Sequence, residues 1–308
     1  MYNFFPKDGK IETAEEINML TRINANNGDE LSILGFGCMR FPMKGTSIDE
    51  ARSIALMREA VEQGVNYFDT AYFYNGGKSE TLLGEALSGG YRERVKIATK
   101  LPQFMVKTLE QAKKIFNTQI TKLKTDHIDY YLLHMLTDKA GFDRMKALGV
   151  IDWLEELKKQ GTIRNIGFSF HGSKADFEEL ITAYPWDICQ IQYNYLDENN
   201  QAAKSGLILA HSLGIPVVIM EPLRGGKLVN NLPEQVKKAF DSCNKSRTPA
   251  EWALRWIWNH PEVNVVLSGM SDEEQLTENV RVASDVQAGS MSEEELAAFD
   301  RVRTILLE

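Results

Sequence analysis

The chain has 308 residues, of which 43% are hydrophobic and 25% are charged, a composition typical of a globular protein rather than a disordered or fibrous one. Its net charge of −8 disfavours nucleic acid and anionic lipid as partners. Since no segment reaches the roughly 20 apolar residues of a membrane span, we expect a cytoplasmic protein with no membrane partner.

Apolar runs of strand length alternate with amphipathic segments along the chain. The eight strand candidates begin, in chain order, at Ser32, Val65, Val95, His127, Ile163, Ile188, Pro216 and Val263. Several of these runs are almost continuously apolar, as in parallel strands that are covered on both faces. Such an alternation of strands and helices favours a single-domain (β/α)8 TIM barrel of the α/β class.

The barrel is expected over residues 31–308, after an N-terminal extension at residues 1–30. An open, doubly wound sheet is the alternative, and it is disfavoured because no G-x-G-x-x-G turn follows an early strand. Two connections, at residues 135–150 and 224–247, are longer than ordinary loops. We expect each of them to form a lid or part of a site.

Capping boxes, in which Ser or Thr is followed three residues later by Glu or Gln, predict where several helices begin. The five pairs are Ser47 with Glu50, Thr108 with Gln111, Thr248 with Glu251, Ser271 with Glu274, and Ser292 with Glu295. After Thr108, apolar residues recur on one face at helical spacing, which predicts a helix that covers the barrel.

Polar side chains end three of the predicted strands or follow them closely. Asp69 and Tyr74 lie in NYFDTAYFY, Lys100 ends KIATK, and His134 ends YYLLH. In a barrel, the C-terminal ends of the strands converge at one mouth. An acid, a phenol, an ammonium and an imidazole would then surround one cavity, and such a set suits proton donation to a carbonyl oxygen.

At this point the motifs resemble those of the aldo-keto reductase family. The matching segments, in family order and across nearly the whole chain, are FDTAYFY, IATK, LLH, IGFS, ICQIQYN, EPLRGGKL and WALRWIWNHPEVNVVLSGMSDEEQLTEN. SFHG and EPLRGGKL look most like a bacterial subgroup that often carries a C-terminal iron–sulfur segment. The sequence has no clustered cysteines to ligate one, so we expect that segment to be absent.

The resemblance implies that Tyr74 is the general acid, that Lys100 and Asp69 activate it, and that His134 orients the substrate carbonyl. An ammonium next to a phenol favours the phenolate, so we expect Lys100 to lower the pKa of Tyr74 below its usual value of about 10. Each residue taken singly also has a structural alternative, as a cap, a half-buried aromatic, a solvated strand end or a core histidine.

By the same resemblance, the protein reduces an aldehyde or a ketone to an alcohol by hydride transfer from NADPH or NADH. Ser169 and Gln190 would hold the nicotinamide carboxamide. The other residues implied in cofactor binding are Leu223, Arg224, Gly225, Gly226, Ser268 and Gly269 near the pyrophosphate, and Gln275, Glu278 and Asn279 at the adenosine end.

Two departures from the family pattern affect the cofactor. Phe170 and His171 follow Ser169 where many members have Asn, so one amide contact to the carboxamide is in doubt. The segment SGMSDEEQ is acidic where members that prefer NADPH usually carry Lys or Arg. Because Asp272 would repel a 2′-phosphate, we expect NADH to be used at least as well as NADPH, unless Arg224 binds that phosphate.

Two other functions stay open. One is a metal-dependent hydrolase with Asp69, His134 and His171 as ligands, although the first strand lacks the paired histidines common in such sites and the three dispersed cysteines form no zinc motif. The other is a barrel that binds the cofactor as a sensor or regulatory subunit. For a reductase, pocket walls from Met39, Phe41, Phe73 and Trp186 indicate an apolar or aromatic carbonyl substrate.

Overall fold

The computed structural model describes residues 18–307. Residues 1–17 of the predicted N-terminal extension lie outside the described residues. Between residues 18 and 307, no helix is long and apolar enough to cross a membrane.

Eight strands close into a barrel in which every neighbouring pair is parallel. The strands of the described part are β1 (Thr21–Ile23), β2 (Glu30–Ser32), β3 (Leu34–Gly37), β4 (Met43–Lys44), β5 (Ser47–Ile48), β6 (Tyr67–Asp69), β7 (Lys96–Leu101), β8 (Ile128–Leu136), β9 (Ile163–Phe170), β10 (Ile188–Gln192), β11 (Val217–Met220) and β12 (Val263–Ser268). The barrel runs from β3 through β6 to β12, and β12 pairs with β3. All eight predicted strands and the predicted (β/α)8 barrel are confirmed.

Helices surround the barrel and cover its outer face. They are α1 (Glu50–Glu62), α2 (Ser79–Ala86), α3 (Leu109–Leu123), α4 (Lys139–Ala147), α5 (Val150–Lys159), α6 (Lys174–Thr182), α7 (Ala203–Ser212), α8 (Glu234–Asp241), α9 (Pro249–Trp258), α10 (Glu273–Ala283) and α11 (Glu293–Leu307). Because side chains alternate along each strand, one set points out against these helices and the other points into the barrel.

The barrel interior is filled by its own small apolar cluster. The buried members are Leu31, Tyr67, Ala98, Tyr130, Leu132, Ile188, Val218, Val265 and Leu267. At the N-terminal end of the strands, the antiparallel β1 and β2 pair supplies Leu31. Arg22 fixes this pair by donating to the carbonyl oxygens of Trp258 at 2.7 Å and His260 at 2.8 Å. One end of the barrel is therefore closed, which leaves the C-terminal end for a site.

Three of the five predicted helix caps are confirmed. The side chains of Thr108 and Thr248 accept from the backbone N–H three residues later, at 3.3 and 3.0 Å. Ser292 forms a full capping box, because Glu295 also accepts from the Ser292 N–H at 2.8 Å. Ser173 and Asp176 form another capping box. The sequence pattern did not include it because the third residue after the serine is Asp, not Glu or Gln.

The caps predicted at Ser47 and Ser271 are wrong. Ser47 lies in β5, and the Asp49 side chain caps α1 by accepting from the Arg52 N–H at 3.2 Å. Helix α10 is capped by Asp272, which accepts from the Gln275 N–H at 2.8 Å. In both cases a carboxylate lies nearer the helix than the serine, and a carboxylate also interacts favourably with the helix dipole.

Both long connections are largely helical, and the second begins with the turn Arg224–Gly226. The first contains α4, whose Phe142 is buried with its ring 5.1 Å from that of Trp186. The second contains α8, whose Phe240 is buried with its ring 5.2 Å from that of Phe299 in α11. Both helices are amphipathic elements of the outer layer, and a count of loop length alone could not reveal their buried faces.

Helices α2 and α3 are in close contact at Gly84. A Cβ atom added there would meet the backbone of Leu123 at 2.8 and 3.0 Å and the carbonyl oxygen of Lys122. We expect Gly84→Ala to lower the free energy of unfolding by about 1–3 kcal/mol, although alanine is the better helix former by about 1 kcal/mol. Urea denaturation measures this change. Glu85→Ala, at the neighbouring position, removes a half-exposed carboxylate that pairs with Lys124; it serves as the control and should stay within about 1 kcal/mol of wild type.

Candidate active site

Four polar side chains meet at the C-terminal mouth of the barrel. Asp69 is the last residue of β6, Lys100 lies near the end of β7, and His134 lies near the end of β8. Tyr74 lies in the short 3-10 turn that follows β6. These three strands are neighbours in the barrel. The structure therefore brings together the four residues that the sequence analysis singled out.

Lys100 and Asp69 form a buried ion pair. The Lys100 Nζ atom donates to Asp69 Oδ1 at 2.6 Å and to the carbonyl oxygen of Thr70 at 2.8 Å. Burial raises the pKa of Asp69, and the Lys100 charge acts against that rise. Burial acts to lower the pKa of Lys100, but the charges of Asp69 and Tyr74 outweigh it, so the pKa is raised. Lys100 therefore stays charged at neutral pH.

Tyr74 lies between Lys100 and His134. The Lys100 Nζ atom is 5.1 Å from the centre of the Tyr74 ring, and the His134 ring is 6.1 Å away in an edge-on arrangement. Burial raises the pKa of Tyr74, and Lys100 lowers it by a smaller amount. The sequence analysis predicted that the pKa of Tyr74 falls, but the net shift is upward, so that prediction is wrong. The phenol is protonated at neutral pH, with a cation placed to stabilise the phenolate once the proton has left.

His134 is a neutral imidazole. Its side chain is buried, and burial followed by the charge of Lys100 lowers its pKa to about 3. The Nδ1 atom has no hydrogen-bond partner among residues 18–307. A neutral imidazole carries one N–H donor and one acceptor nitrogen. His134 can therefore donate a hydrogen bond into the cavity without adding a positive charge next to Lys100.

Ser169 and Gln190 lie on the next two strands, β9 and β10, and are fully buried at the same register position. Ser169 Oγ accepts from the Met135 N–H at 2.9 Å, and its own hydroxyl hydrogen remains available to donate. The Gln190 Oε1 atom is buried with no partner within the described chain. An unpaired buried acceptor next to a hydroxyl fits the amide of a nicotinamide.

The loop after β11 and the loop after β12 both contact Arg40. Gly225 and Gly226 both adopt positive φ, at 66° and 90°, in the turn that also holds Leu223 and Arg224. A Cβ atom on Gly225 would lie 3.0 Å from the Arg40 guanidinium, and one on Gly269, next to Ser268, would lie 3.2 Å from the Arg40 stem. Glycine lets the chain come this close to Arg40.

Arg40 was missed by the sequence analysis. It follows β3 in the segment MRFP and is exposed. Arg224, which the sequence analysis named instead, has its Nε atom 3.4 Å from Asp197 Oδ2. An arginine next to two glycine-containing turns can bind phosphate oxygens. Its proximity to Gly225 and Gly269 arises only when the barrel closes, so no local sequence signal marks it.

The residues predicted at the adenosine end are on α10, and several already have partners. Asp272 accepts from the Gln275 side chain at 2.6 Å, and Glu278 accepts from the Thr248 hydroxyl. Asn279 is buried and donates to Ser268 Oγ at 3.0 Å, which fixes the turn after β12 to this helix. Arg52 forms an ion pair with Glu273.

The predicted pocket walls are partly wrong. Met39 and Phe73 are exposed at the mouth, but Phe41 and Trp186 are buried in the core. Trp186 precedes β10, so it lies at the opposite end of the barrel from the site, with its ring 4.7 Å from that of Phe168.

Comparisons with known proteins agree with this geometry. The model of the aldo/keto reductase family matches residues 33–303. "Uncharacterized oxidoreductase YqkF" of Bacillus subtilis is 28% identical over 299 residues, which cover 88% of this chain and 92% of that protein. L-Galactose dehydrogenase of Arabidopsis thaliana is 26% identical, covering 91% and 93%. The solved holo form of aldo-keto reductase AKR11C1 from Bacillus halodurans is 28% identical with a TM-score of 0.76, covering 92% and 96%.

The low pKa of His134 predicts a pH dependence of stability. Unfolded histidine binds a proton below about pH 6.5, whereas folded His134 does so only near about 3, so its contribution to stability is lost as the pH falls through this window. Between pH 7.5 and pH 5, we expect the stability of wild type relative to His134→Gln to decrease by about 2 kcal/mol. Urea denaturation of both proteins measures this, and a constant difference would contradict the assignment.

Proposed function

This chain belongs to the aldo/keto reductase family, and we propose that it reduces an aldehyde or a ketone to an alcohol with Tyr74 as the general acid. It is an NAD(P)H-dependent enzyme that acts on small carbonyl compounds. The observation that carries the proposal for Tyr74 is the buried ion pair of Lys100 and Asp69 next to its ring.

The substrate carbonyl would be held by hydrogen bonds from Tyr74 and His134. When bound, the nicotinamide cofactor supplies a hydride to the carbonyl carbon. Negative charge then develops on the carbonyl oxygen, which Tyr74 and His134 stabilise by donating hydrogen bonds. Tyr74 transfers its hydroxyl proton to that oxygen, which completes the alcohol and leaves a phenolate. Lys100, 5.1 Å from the ring centre, stabilises the phenolate, and Asp69 keeps Lys100 in place.

The polar residues on the other side of the mouth would hold the cofactor. Ser169 and Gln190 offer a hydroxyl and an unpaired buried amide oxygen for the carboxamide group. The glycine turns at Gly225 and Gly269 flank Arg40, and this arrangement suits a pyrophosphate. Gln275, Glu278 and Asn279 would lie along the adenosine, with Asn279 acting through its bond to Ser268.

The two alternative functions receive no support. Within the described residues, no group of three His, Cys, Asp or Glu side chains is arranged to hold a metal ion, and this includes Asp69, His134 and His171. A sensor or regulatory role would not require a buried cation next to a phenol, although it would be compatible with one. The cytoplasmic location, the lack of nucleic-acid partners and the domain limits of 31–308 stay predictions from the sequence.

Removing the hydroxyl of Tyr74 tests the proposed general acid. Tyr74→Phe should lower kcat for aldehyde reduction by at least about 100-fold, because a positioned general acid contributes about 10²–10⁴-fold. The dissociation constant of the cofactor should stay close to that of wild type. Tyr72→Phe removes the same atom two residues away and is the matched control, with kcat unchanged. Substantial turnover in Tyr74→Phe would show that another group supplies the proton.

The acidic start of α10 predicts cofactor preference. Asp272, which is negatively charged, lies at the N-terminus of this helix and would repel a 2′-phosphate. The nearby Arg52 is already paired with Glu273, so its positive charge is not free to bind that phosphate. We expect KM for NADH to be no higher than KM for NADPH. Gln275→Arg should lower KM for NADPH about tenfold, since a charge-assisted hydrogen bond contributes about 1.5–3 kcal/mol, and should leave NADH nearly unaffected. A strong wild-type preference for NADPH would refute this reading.

A further inference from the structure

Tyr74 lies at the start of a strained turn, Tyr74–Gly77, which we call the Tyr74 turn. The three residues after Tyr74 all adopt positive φ, at 54° for Asn75, 65° for Gly76 and 85° for Gly77. Such a conformation is uncommon for a residue other than glycine, and it persists where the surrounding structure imposes it. The position of Tyr74 therefore depends on the contacts that hold this turn.

The loop after β3 holds the middle of the Tyr74 turn. The Asn75 Nδ2 atom donates to the carbonyl oxygens of Cys38 and Met39, at 3.2 Å in both cases. Ser79, the first residue of α2, donates its hydroxyl hydrogen to the same Cys38 carbonyl at 2.7 Å. None of these contacts involves Gly77, at the end of the turn.

Lys122 of α3 holds the end of the Tyr74 turn. Its Nζ atom donates to the Gly77 carbonyl oxygen at 2.9 Å and lies 4.9 Å from the centre of the Tyr72 ring. A Cβ atom on Gly77 would lie 3.4 Å from this ammonium, so glycine leaves the lysine room to reach the carbonyl. Lys122 thus contacts the chain both before and after Tyr74.

Glu80 holds Lys122 in this place. The Glu80 side chain is fully buried, and its Oε1 atom accepts from the Thr99 hydroxyl at 2.7 Å and from Gln119 at 2.6 Å. Its Oε2 atom has no hydrogen-bond partner within residues 18–307, and the Lys122 Nζ atom lies 3.7 Å from it. A buried carboxylate attracts a nearby ammonium strongly, so Glu80 keeps Lys122 directed towards the turn.

The same carboxylate is linked to Lys100. Gln119, which binds Glu80, also donates to the Lys100 carbonyl oxygen at 3.1 Å. The amide oxygen of Gln119 accepts from the Tyr131 hydroxyl at 2.7 Å, which fixes the orientation of the amide. Glu80 is therefore connected to Lys100 through Gln119 and to the Tyr74 turn through Lys122. One buried group thus relates the positions of the phenol and the ammonium.

We propose that Lys122, held by Glu80, is a positioning residue that keeps the Tyr74 turn at the distance from Lys100 that proton transfer requires. The inference rests on the proposed reductase function and deepens it. Lys122 acts through the Gly77 carbonyl and the Tyr72 ring. A displacement of about 1 Å can lower the rate of a catalysed step by about 100-fold, so even a small movement of Tyr74 is measurable.

The kinetic test replaces the ammonium of Lys122 and measures reduction of the best substrate in a panel of aldehydes from propanal to benzaldehyde. Lys122→Met should lower kcat at least about tenfold, while the Kd of the cofactor stays within about twofold of wild type. Lys122→Arg keeps a charged donor for the Gly77 carbonyl and should restore most of the lost kcat. Lys114→Met, at an exposed lysine of the same helix, is the matched control and should keep the wild-type kcat.

A double variant tests the link between Glu80 and Lys122. Glu80→Gln keeps an acceptor for Thr99 and Gln119 but removes the charge opposite Lys122, so it should also lower kcat. Glu80→Gln combined with Lys122→Met should lower kcat no further than Lys122→Met alone, because the two residues act as one unit. The double variant removes both charges together and so leaves no unpaired ion in the interior. Additive losses would overturn the role given to Glu80.

Hydrogen exchange of the peptide spanning residues 72–80 reports the turn without requiring a reaction. Exchange should be at least about threefold faster in Lys122→Met than in wild type, and close to wild type in Lys122→Arg and Lys114→Met. An unchanged kcat in Lys122→Met, or a lower kcat with wild-type exchange, would overturn the positioning role. Faster exchange in Lys122→Met, together with a wild type that reduces no aldehyde, would leave the hold on the turn standing and overturn the proposed reductase function.

Discussion

The buried pair of Lys100 and Asp69 is the interaction on which the site depends. Burying two charges costs several kcal/mol per ion, and only close contact and further hydrogen bonds offset that cost. The barrel supplies both, because β6 and β7 are paired and the Lys100 side chain reaches Asp69 and Thr70 at its end. Behind β7, Gln119 donates to the carbonyl oxygen of Lys100 at 3.1 Å and to buried Glu80 at 2.6 Å. A cation is thus fixed next to Tyr74 before any ligand binds.

Burial shapes the proton chemistry as strongly as charge does. It raises the pKa of Tyr74 despite the neighbouring ammonium and lowers that of His134 to about 3. The result is a phenol that holds its proton, a neutral imidazole that can donate a hydrogen bond, and an ammonium that stabilises the phenolate. Because the fixed charge lies next to the proton donor, its effect grows as negative charge moves from the substrate oxygen to Tyr74. This is the differential stabilisation that accelerates a reaction.

The sequence predicted the strands well because each is a short apolar run bounded by polar residues, and it predicted the four-residue cluster because strand ends converge in a barrel. It failed where the outcome depends on competition or on distant contacts. Asp49 and Asp272 displaced the serines expected as caps. Trp186 is a different case, because the strand predicted from Ile188 already follows it, and its place at the far end of the barrel could have been inferred from the sequence. Arg40 has no local signal, since its neighbour Gly225 is brought to it only by barrel closure. The sign of the Tyr74 pKa shift required knowledge of burial.

The most direct test of the buried cation is the rate of hydride transfer in Lys100→Met, measured as single-turnover oxidation of bound reduced cofactor. We expect this rate to fall by at least about 100-fold while the Kd of the cofactor changes by less than about threefold. Lys78→Met, at a lysine whose side chain is 64% exposed four residues after Tyr74, is the matched control and should keep the wild-type rate. An unchanged rate in Lys100→Met would contradict the account, because the phenolate would then need no cation beside it.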